Sequence, residues 1–245
     1  MARIRRYEEL TLNSSSALKQ MLYDGWVLRF SPGSQVKRAN SVSALYPSSL
    51  PLNNKLDYCE AAYARQGLPA RFRLHEFCDP ELDLCLAARG YEKIEPTLFM
   101  TLALEDAAPP ASDLEIVELA LPDWLEINHA LRGTGKETVH AHRARLESIS
   151  LPCFPVVLVV EGLPVCVGLG VAQDDHFGLF DIFTPGVLRN RGYGKLLTCA
   201  MLAIAQGCQA QFAYLQVDEN NGLARRLYEG LGFAPAYCYW YRVKS

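Results

Sequence analysis

Residues 187–195 read VLRNRGYGK and crowd two arginines, a lysine and two glycines into one short turn. An apolar run, HFGLFDIFT (176–184), precedes the turn. A helical pattern with Leu197, Ala200, Met201 and Ile204 on one face follows it. Backbone N–H groups at a helix start have no internal partners, and the helix dipole favours an anion there. Gly192 and Gly194 carry no Cβ, so an anion can approach the backbone closely. Arg189, Arg191 and Lys195 add positive charge at the same spot. A phosphate or pyrophosphate suits such a turn. A Walker loop needs Gly six residues before its Lys and Ser or Thr after it, and those places hold Arg189 and Leu196. A dinucleotide fingerprint needs a third glycine where Leu197 stands.

Taken alone, the stretch could equally be an arginine-rich turn that caps a helix. Its context argues for more. RNRGYG is an Arg-x-x-Gly-x-Gly pattern that resembles the acyl-CoA loop of the GNAT N-acyltransferase superfamily. Further on, NGLARRLYEGLGF (221–233) resembles that family's second motif, an Asn-x-x-Ala-x-x-Leu-Tyr helix closed by Gly-Phe. The resemblance covers residues 114–245 well and residues 1–104 weakly. It implies an α+β fold, a mixed and mostly antiparallel sheet flanked by helices, in two similar units in tandem. It also implies an N-acetyltransferase that moves an acetyl group from acetyl-CoA, its co-substrate, to a primary amine by direct attack in a ternary complex. A non-catalytic CoA-binding sensor or interaction protein is the alternative.

The resemblance assigns roles position by position. The backbone of Ile182, Phe183 and Thr184 would pair with the pantetheine arm. Arg189 and the amides of Asn190, Arg191, Gly192, Tyr193, Gly194 and Lys195 would hold the pyrophosphate. Asn221 would hydrogen-bond the pantetheine, and Tyr228 would protonate the departing thiolate. Tyr228 could instead merely pack beside Leu223, Leu227 and Leu231.

Acyl transfer to an amine needs a neutral amine, yet a lysine-like amine has a free pKa near ~10. It needs a polarised thioester carbonyl, for which a backbone N–H at a strand bulge suffices. Direct attack needs no enzyme nucleophile. The base is the open question. Some relatives carry a glutamate where Gln216 stands, and an amide cannot take a proton. Asp181, just before Ile182, is the best remaining carboxylate, with a structural hydrogen bond or a water chain as alternatives. His176 begins the same strand and lies too far out.

The elements that must position these residues are legible over 114–245. LEIVELAL (114–121) reads as a strand, PDWLEINHALRG (122–133) as a helix, and TVHAHRARLESISL (138–151) as a second, more polar helix. FPVVLVVEG and LPVCVGLGVAQ meet at Glu161-Gly162 as a hairpin would. AQFAYLQV is a strand, NGLARRLYEGLG a helix and AYCYWYRV a closing strand. RGTGKETVHAHRARLES carries no recognisable acceptor code.

Laid over itself, the chain repeats. KLDYCEAAYARQGLPARF (55–72) matches KLLTCAMLAIAQGCQAQF (195–212) at Lys, Leu, Cys, Gln, Gly, Ala and Phe. After a two-residue shift, ARGY (88–91) falls on GLGF (230–233), which places an apolar residue near Leu86 opposite Tyr228. YPSSLPLNN (46–54) has neither glycine nor basic residue where the second copy has its loop. The division expected is a degenerate unit over 1–104, a linker over 105–113 and an acyl-CoA-binding catalytic domain over 114–245. The first unit is expected to be structural. Arg29, Lys37, Arg38 and Asn40 would be either a basic rim that steers a carboxylate-bearing acceptor or a solvated sheet face.

The bulk numbers fit a cytoplasmic globular protein. Of 245 residues, 50% are hydrophobic and 21% charged, and the net charge of −3 argues against nucleic acid as a partner. No apolar run approaches the ~18 residues of a membrane helix, so no membrane partner is expected. The eight cysteines form no CxxC pair, so buried small hydrophobes are expected and no metal. The partner is a small-molecule or peptide amine acceptor, and the protein a monomer or homodimer.

Overall fold

The computed structural model describes residues 2–106 and 115–244. Most of the expected linker therefore lies outside the described residues. Glu105 and Asp106 end a short 3-10 turn, Leu104–Asp106.

The first half runs α1 (Ala2–Ser14), β1 (Lys19–Tyr23), β2 (Trp26–Phe30), β3 (Val42–Ala44), α2 (Leu52–Arg65), β4 (Arg71–His75), α3 (Pro80–Ala88) and β5 (Glu92–Ala103). The second runs β6 (Glu115–Glu118), α4 (Leu121–Arg132), α5 (Lys136–Glu147), β7 (Cys153–Val160), β8 (Leu163–Gln173), β9 (His176–Phe183), α6 (Tyr193–Gly207), β10 (Phe212–Asp218), α7 (Gly222–Glu229) and β11 (Ala234–Val243). The expected hairpin joins β7 to β8 through Glu161 and Gly162, both at positive φ. The helix read over 138–151 begins earlier, at Lys136, and ends at Glu147.

Among the described residues the strands form one sheet in the order β1-β2-β3-β4-β11-β5-β10-β9-β8-β7-β6. Only β3–β4 and β9–β10 are parallel neighbours; the rest are antiparallel. The α+β expectation of a mixed, mostly antiparallel sheet is borne out. The order also shows an exchange. β5, from the first half, pairs along β10, from Phe212↔Ala103 to Asp218↔Thr97. β11, from the second half, pairs with β4 on one side and β5 on the other. Each half thus gives its last strand to the other.

The duplicated pattern is visible in hydrogen bonds. Tyr91 N donates to Leu86 O, and Phe233 N donates to Tyr228 O, each at 3.0 Å. Phe72 and Phe212 each enter the parallel pair of their own half. Where the halves meet, α1 lays Ile4, Tyr7 and Leu10 over Phe99, Tyr214 and the β11 tyrosines. Tyr7 stacks on Phe99 at 4.8 Å, and the buried Glu8 pairs with Arg73 and accepts from Tyr237. The core of the second half gathers Leu197, Met201 and Ala205 of α6 against β8, β9 and β10.

The cysteines are free; Cys59 and Cys166 are buried and the other six half-buried, so the expectation of burial holds fully for only two.

Candidate active site

The site begins where two parallel strands part. β9 and β10 pair only from His176↔Phe212 to Leu179↔Leu215. Beyond that point β9 follows β8 to Val167↔Phe183, while β10 follows β5 to Asp218↔Thr97. Asp181 and Ile182 sit in the β8–β9 register shift, and Asp181 has a left-handed φ of 51°. That bulge interrupts the β8–β9 ladder at Asp181 and Ile182, the kind of strand irregularity that a carbonyl-polarising N–H requires.

The chain then turns through Gly186–Leu188 into α6. Asn190 and Gly192 both have left-handed φ, 62° and 81°. Glycine suits the second position, which opens the helix as its N-cap. A Cβ at Gly194 would meet Leu227 Cδ1 at 3.4 Å and Thr184 Oγ1 at 3.9 Å, so the fold tolerates a side chain there. That Cβ would stand between α7 and the end of β9, where the cofactor arm is expected to pass. Arg189 donates Nε to Thr184 O at 3.2 Å; Arg191 and Lys195 are exposed beside it. These residues fit an anionic cofactor segment.

α7 enters on Asn221, whose side chain accepts from Ala224 N at 3.1 Å. The Asn221 carbonyl is therefore a helix cap, and its amide group is what remains for a ligand. Tyr228, on the last turn, packs on the core through Phe233, ring centroids 6.0 Å apart, and also lines a cavity. Burial pushes its hydroxyl up to about 12.

That cavity holds about 360 Å³ and brings Asp181, Ile182, Gln216 and Tyr228 together. Gln216 is fixed in place, its amide donating to Thr11 Oγ1 at 2.9 Å and its carbonyl accepting from Tyr239 Oη at 2.7 Å. His176 is not among the cavity's lining; it is hydrogen-bonded to Asp175 at 2.6 Å at the far end of β9.

Asp181 is the hub. His142 Nε2, from α5, lies 3.3 Å from its carboxylate. His142 Nδ1 lies 3.3 Å from His129 Nε2, and His129 Nδ1 lies 2.7 Å from Thr134 Oγ1. Arg132 of α4 donates to the Asp181 carbonyl at 3.1 Å, to Asn128 at 2.7 Å, and covers the Phe183 ring at 4.4 Å. Burial works against ionisation of Asp181. The His142 hydrogen bond and the charges of His142, Arg145 and Arg132 outweigh it and hold the carboxyl far below the carboxylate range. Burial, then His142, lowers His129.

Residues 1–242 match the family described as "Probable histone acetyltransferase Rv0428c C-terminal". The chain belongs to that family. An N-acetyltransferase of Bacillus subtilis (strain 168), named YobR and called uncharacterised, is 27% identical over 98% of both chains. The fold is that of GNAT proteins. A GCN5-related N-acetyltransferase from Kribbella flavida superposes with a TM-score of 0.74 over 99% of this chain and 95% of its own, at 19% identity. A tandem GNAT protein from the clavulanic acid biosynthesis pathway does so at 0.63, over 82% and 74%, at 14% identity.

Within this GNAT fold the sequence-expected residues fall in two places. Phe183 to Lys195 and Asn221 follow the ends of β9 and β10, and Asp181, Ile182 and Tyr228 line the inner cavity. Sequence reading missed His129, in the helix read over 122–133, and Arg132, His142 and Arg145, which lie in the stretch that carried no recognisable code. Their i, i+3 spacings (129 and 132; 142 and 145) were the available signal for one helix face.

The first half is more than a scaffold. Ser14, Ser15, Val36 and Arg38 line the same cavity. The two readings of the β2–β3 charges are both corrected for Arg29 and Asn40, which are buried. Arg29 donates to Leu12 O and Ser15 O, and Asn40 ties Ser31 to Ser34. A buried guanidinium surrounded by carbonyls cannot form a solvated face or a rim. In the first half, the place matching the glycine turn is already filled. Asp24 accepts from Ser49 N and Leu50 N, at 3.0 and 2.9 Å, just ahead of α2. Lys55, which aligns with Lys195, is buried against Asp24 at 3.1 Å and under the Trp26 ring.

Proposed function

We propose that the protein transfers an acetyl group from acetyl-CoA to a primary amine, at a single site in its second half. The observation that carries the reading is the parting of β9 from β10 directly ahead of the cationic glycine turn. Bound acetyl-CoA would supply an acetyl group activated as a thioester. The α6 amides, with Arg189, Arg191 and Lys195, hold the pyrophosphate, and the freed β9 edge at Ile182–Thr184 pairs with the pantetheine arm. The bulge backbone at Asp181–Ile182 donates to the thioester oxygen as negative charge develops on it.

Tyr228 keeps its proton at every working pH and donates it, as a hydrogen bond, to the leaving sulfur. Asp181 stays ionised, which suits it to receive and orient the acceptor's ammonium group rather than to serve as the final base. The proton then has a route outward. His142, His129 and Thr134 form a hydrogen-bonded chain leading from Asp181, and it carries a proton away when each ring turns a bare nitrogen toward Asp181 and its N–H toward Thr134.

The sensor alternative draws on Gln216, an amide pinned by Thr11 and Tyr239. The experiment that separates the two is thiol release from acetyl-CoA with an amine panel, for the native protein and Tyr228→Phe. Turnover lost in the variant with cofactor binding retained supports the enzyme. Acetyl-CoA binding without turnover of any amine supports the sensor.

A further inference from the structure

The cavity behind Asp181 carries too much positive charge for the protein alone. Arg38, Arg132 and Arg145 line it, against the single carboxylate of Asp181. Arg132 is satisfied by Asn128 and the Asp181 backbone. Arg145 is not. It is 5% exposed, and its one protein hydrogen bond among the described residues is a long one, Nη1 to Ser15 Oγ at 3.4 Å. The Nε atoms of Arg145, Arg38 and the underlying Arg29 are buried without partners. None of these three arginines has a carboxylate of a described residue within ion-pair distance. Burial, with the neighbouring guanidiniums, lowers both Arg29 and Arg145. Arg29 is met by backbone carbonyls and Arg38 by the Tyr239 and Tyr241 hydroxyls, which leaves Arg145 as the buried, underpartnered cation beside Arg38, a costly arrangement unless an anion joins it.

The cofactor's phosphates are not that anion, because no residue of the 184–195 turn lines the cavity. Resting on the acetyltransferase reading above, we propose that the acceptor is a small amine bearing a carboxylate, of amino-acid size. Its acid group lies between Arg38 and Arg145, and its amine points to Asp181 and Tyr228. Charged planar guanidiniums favour a carboxylate through short, charge-assisted hydrogen bonds. A volume of about 360 Å³ suits a small ligand. The same arginines oppose a lysine-rich peptide, since like charges brought together in a closed site repel. Arg38 comes from the first half, so the tandem arrangement itself would set acceptor choice.

The test pairs acids with their decarboxylated amines: leucine with isoamylamine, phenylalanine with phenethylamine, and a lysine-rich peptide as the cationic arm. Thiol release from acetyl-CoA gives kcat and KM for each, and saturation-transfer NMR reads binding of the same compounds without acetyl-CoA. The expected result is a kcat/KM about tenfold or more higher for each acid than for its matched amine, carried by KM. Arg38→Gln should raise KM for the acids more than for the matched amines, with an unaltered melting point showing that the variant is folded. Arg145→Gln should do the same more strongly. Equal or better use of the amines or the peptide overturns the proposal, as does equal binding of acid and amine. Should acetyl-CoA fail to bind at all, the acetyltransferase reading falls, and the NMR preference alone decides whether the cavity selects carboxylates.

Discussion

At the residue scale, Tyr228 and Asp181 share one cavity but differ in state. Tyr228 is held protonated by burial, up to about 12. Tyr228→Phe should therefore lower kcat by about 10² or more while acetyl-CoA affinity stays within a few-fold, read by thiol release and calorimetry. An unchanged kcat would reduce the tyrosine to a packing residue. Asp181 is held ionised, so its loss should not depend on pH. Asp181→Asn should lower kcat/KM by about tenfold or more at every pH from about 6 to 9. A defect confined to the acid side would instead mean an ordinary titrating carboxylate. The sign for stability follows from the same shift. A folded pKa below the unfolded value stabilises the protein above the unfolded pKa, and that stabilisation is lost as pH falls through the folded one. The melting point of Asp181→Asn should therefore be lower than native at neutral pH and converge with it in strong acid.

At the scale of elements, the glycine turn separates fold from binding. Gly192 sits at a φ of 81°, where a side chain costs about 1 kcal/mol or more, so Gly192→Ala should both destabilise and weaken acetyl-CoA binding. Gly194 has ordinary contacts waiting for a Cβ, so Gly194→Ala should keep its melting point and lose affinity. Equal effects of the two substitutions would contradict a ligand at the α6 amides. This element was readable in the sequence because its determinants are local: a strand, two glycines, fixed charges and a helix stripe. The hairpin at Glu161-Gly162 was readable for the same reason. The α4–α5 face was not. His129, Arg132, His142 and Arg145 acquire meaning only when both helices pack beside the β9 bulge, a contact that no spacing within either helix encodes.

At the scale of the whole molecule, the repeat was legible from KLDYC and KLLTC, but the exchange of β5 and β11 was not. A closing strand reads the same whichever penultimate strand it pairs with, and only the assembled sheet decides. The exchange has a consequence for separability. Residues 115–245 alone would leave β10 without β5 and β11 without either neighbour, so that fragment should fail to give a soluble, cooperatively melting protein. A chain cut between Asp106 and Glu115 should stay together through gel filtration. A well-folded isolated second half would contradict this.

The duplicated architecture also poses the sharpest question, which is how many cofactor sites one chain has. Asp24 and Lys55 fill the first half's anion position from within, whereas the α6 amides, Arg191 and Lys195 remain available in the second. The measurement that bears on this most directly is a calorimetric titration of the native protein with acetyl-CoA, repeated on Gly194→Val. One site per chain, abolished in the variant, is the expected result. Two sites would contradict the closed first half, and no binding would contradict the acetyltransferase reading itself.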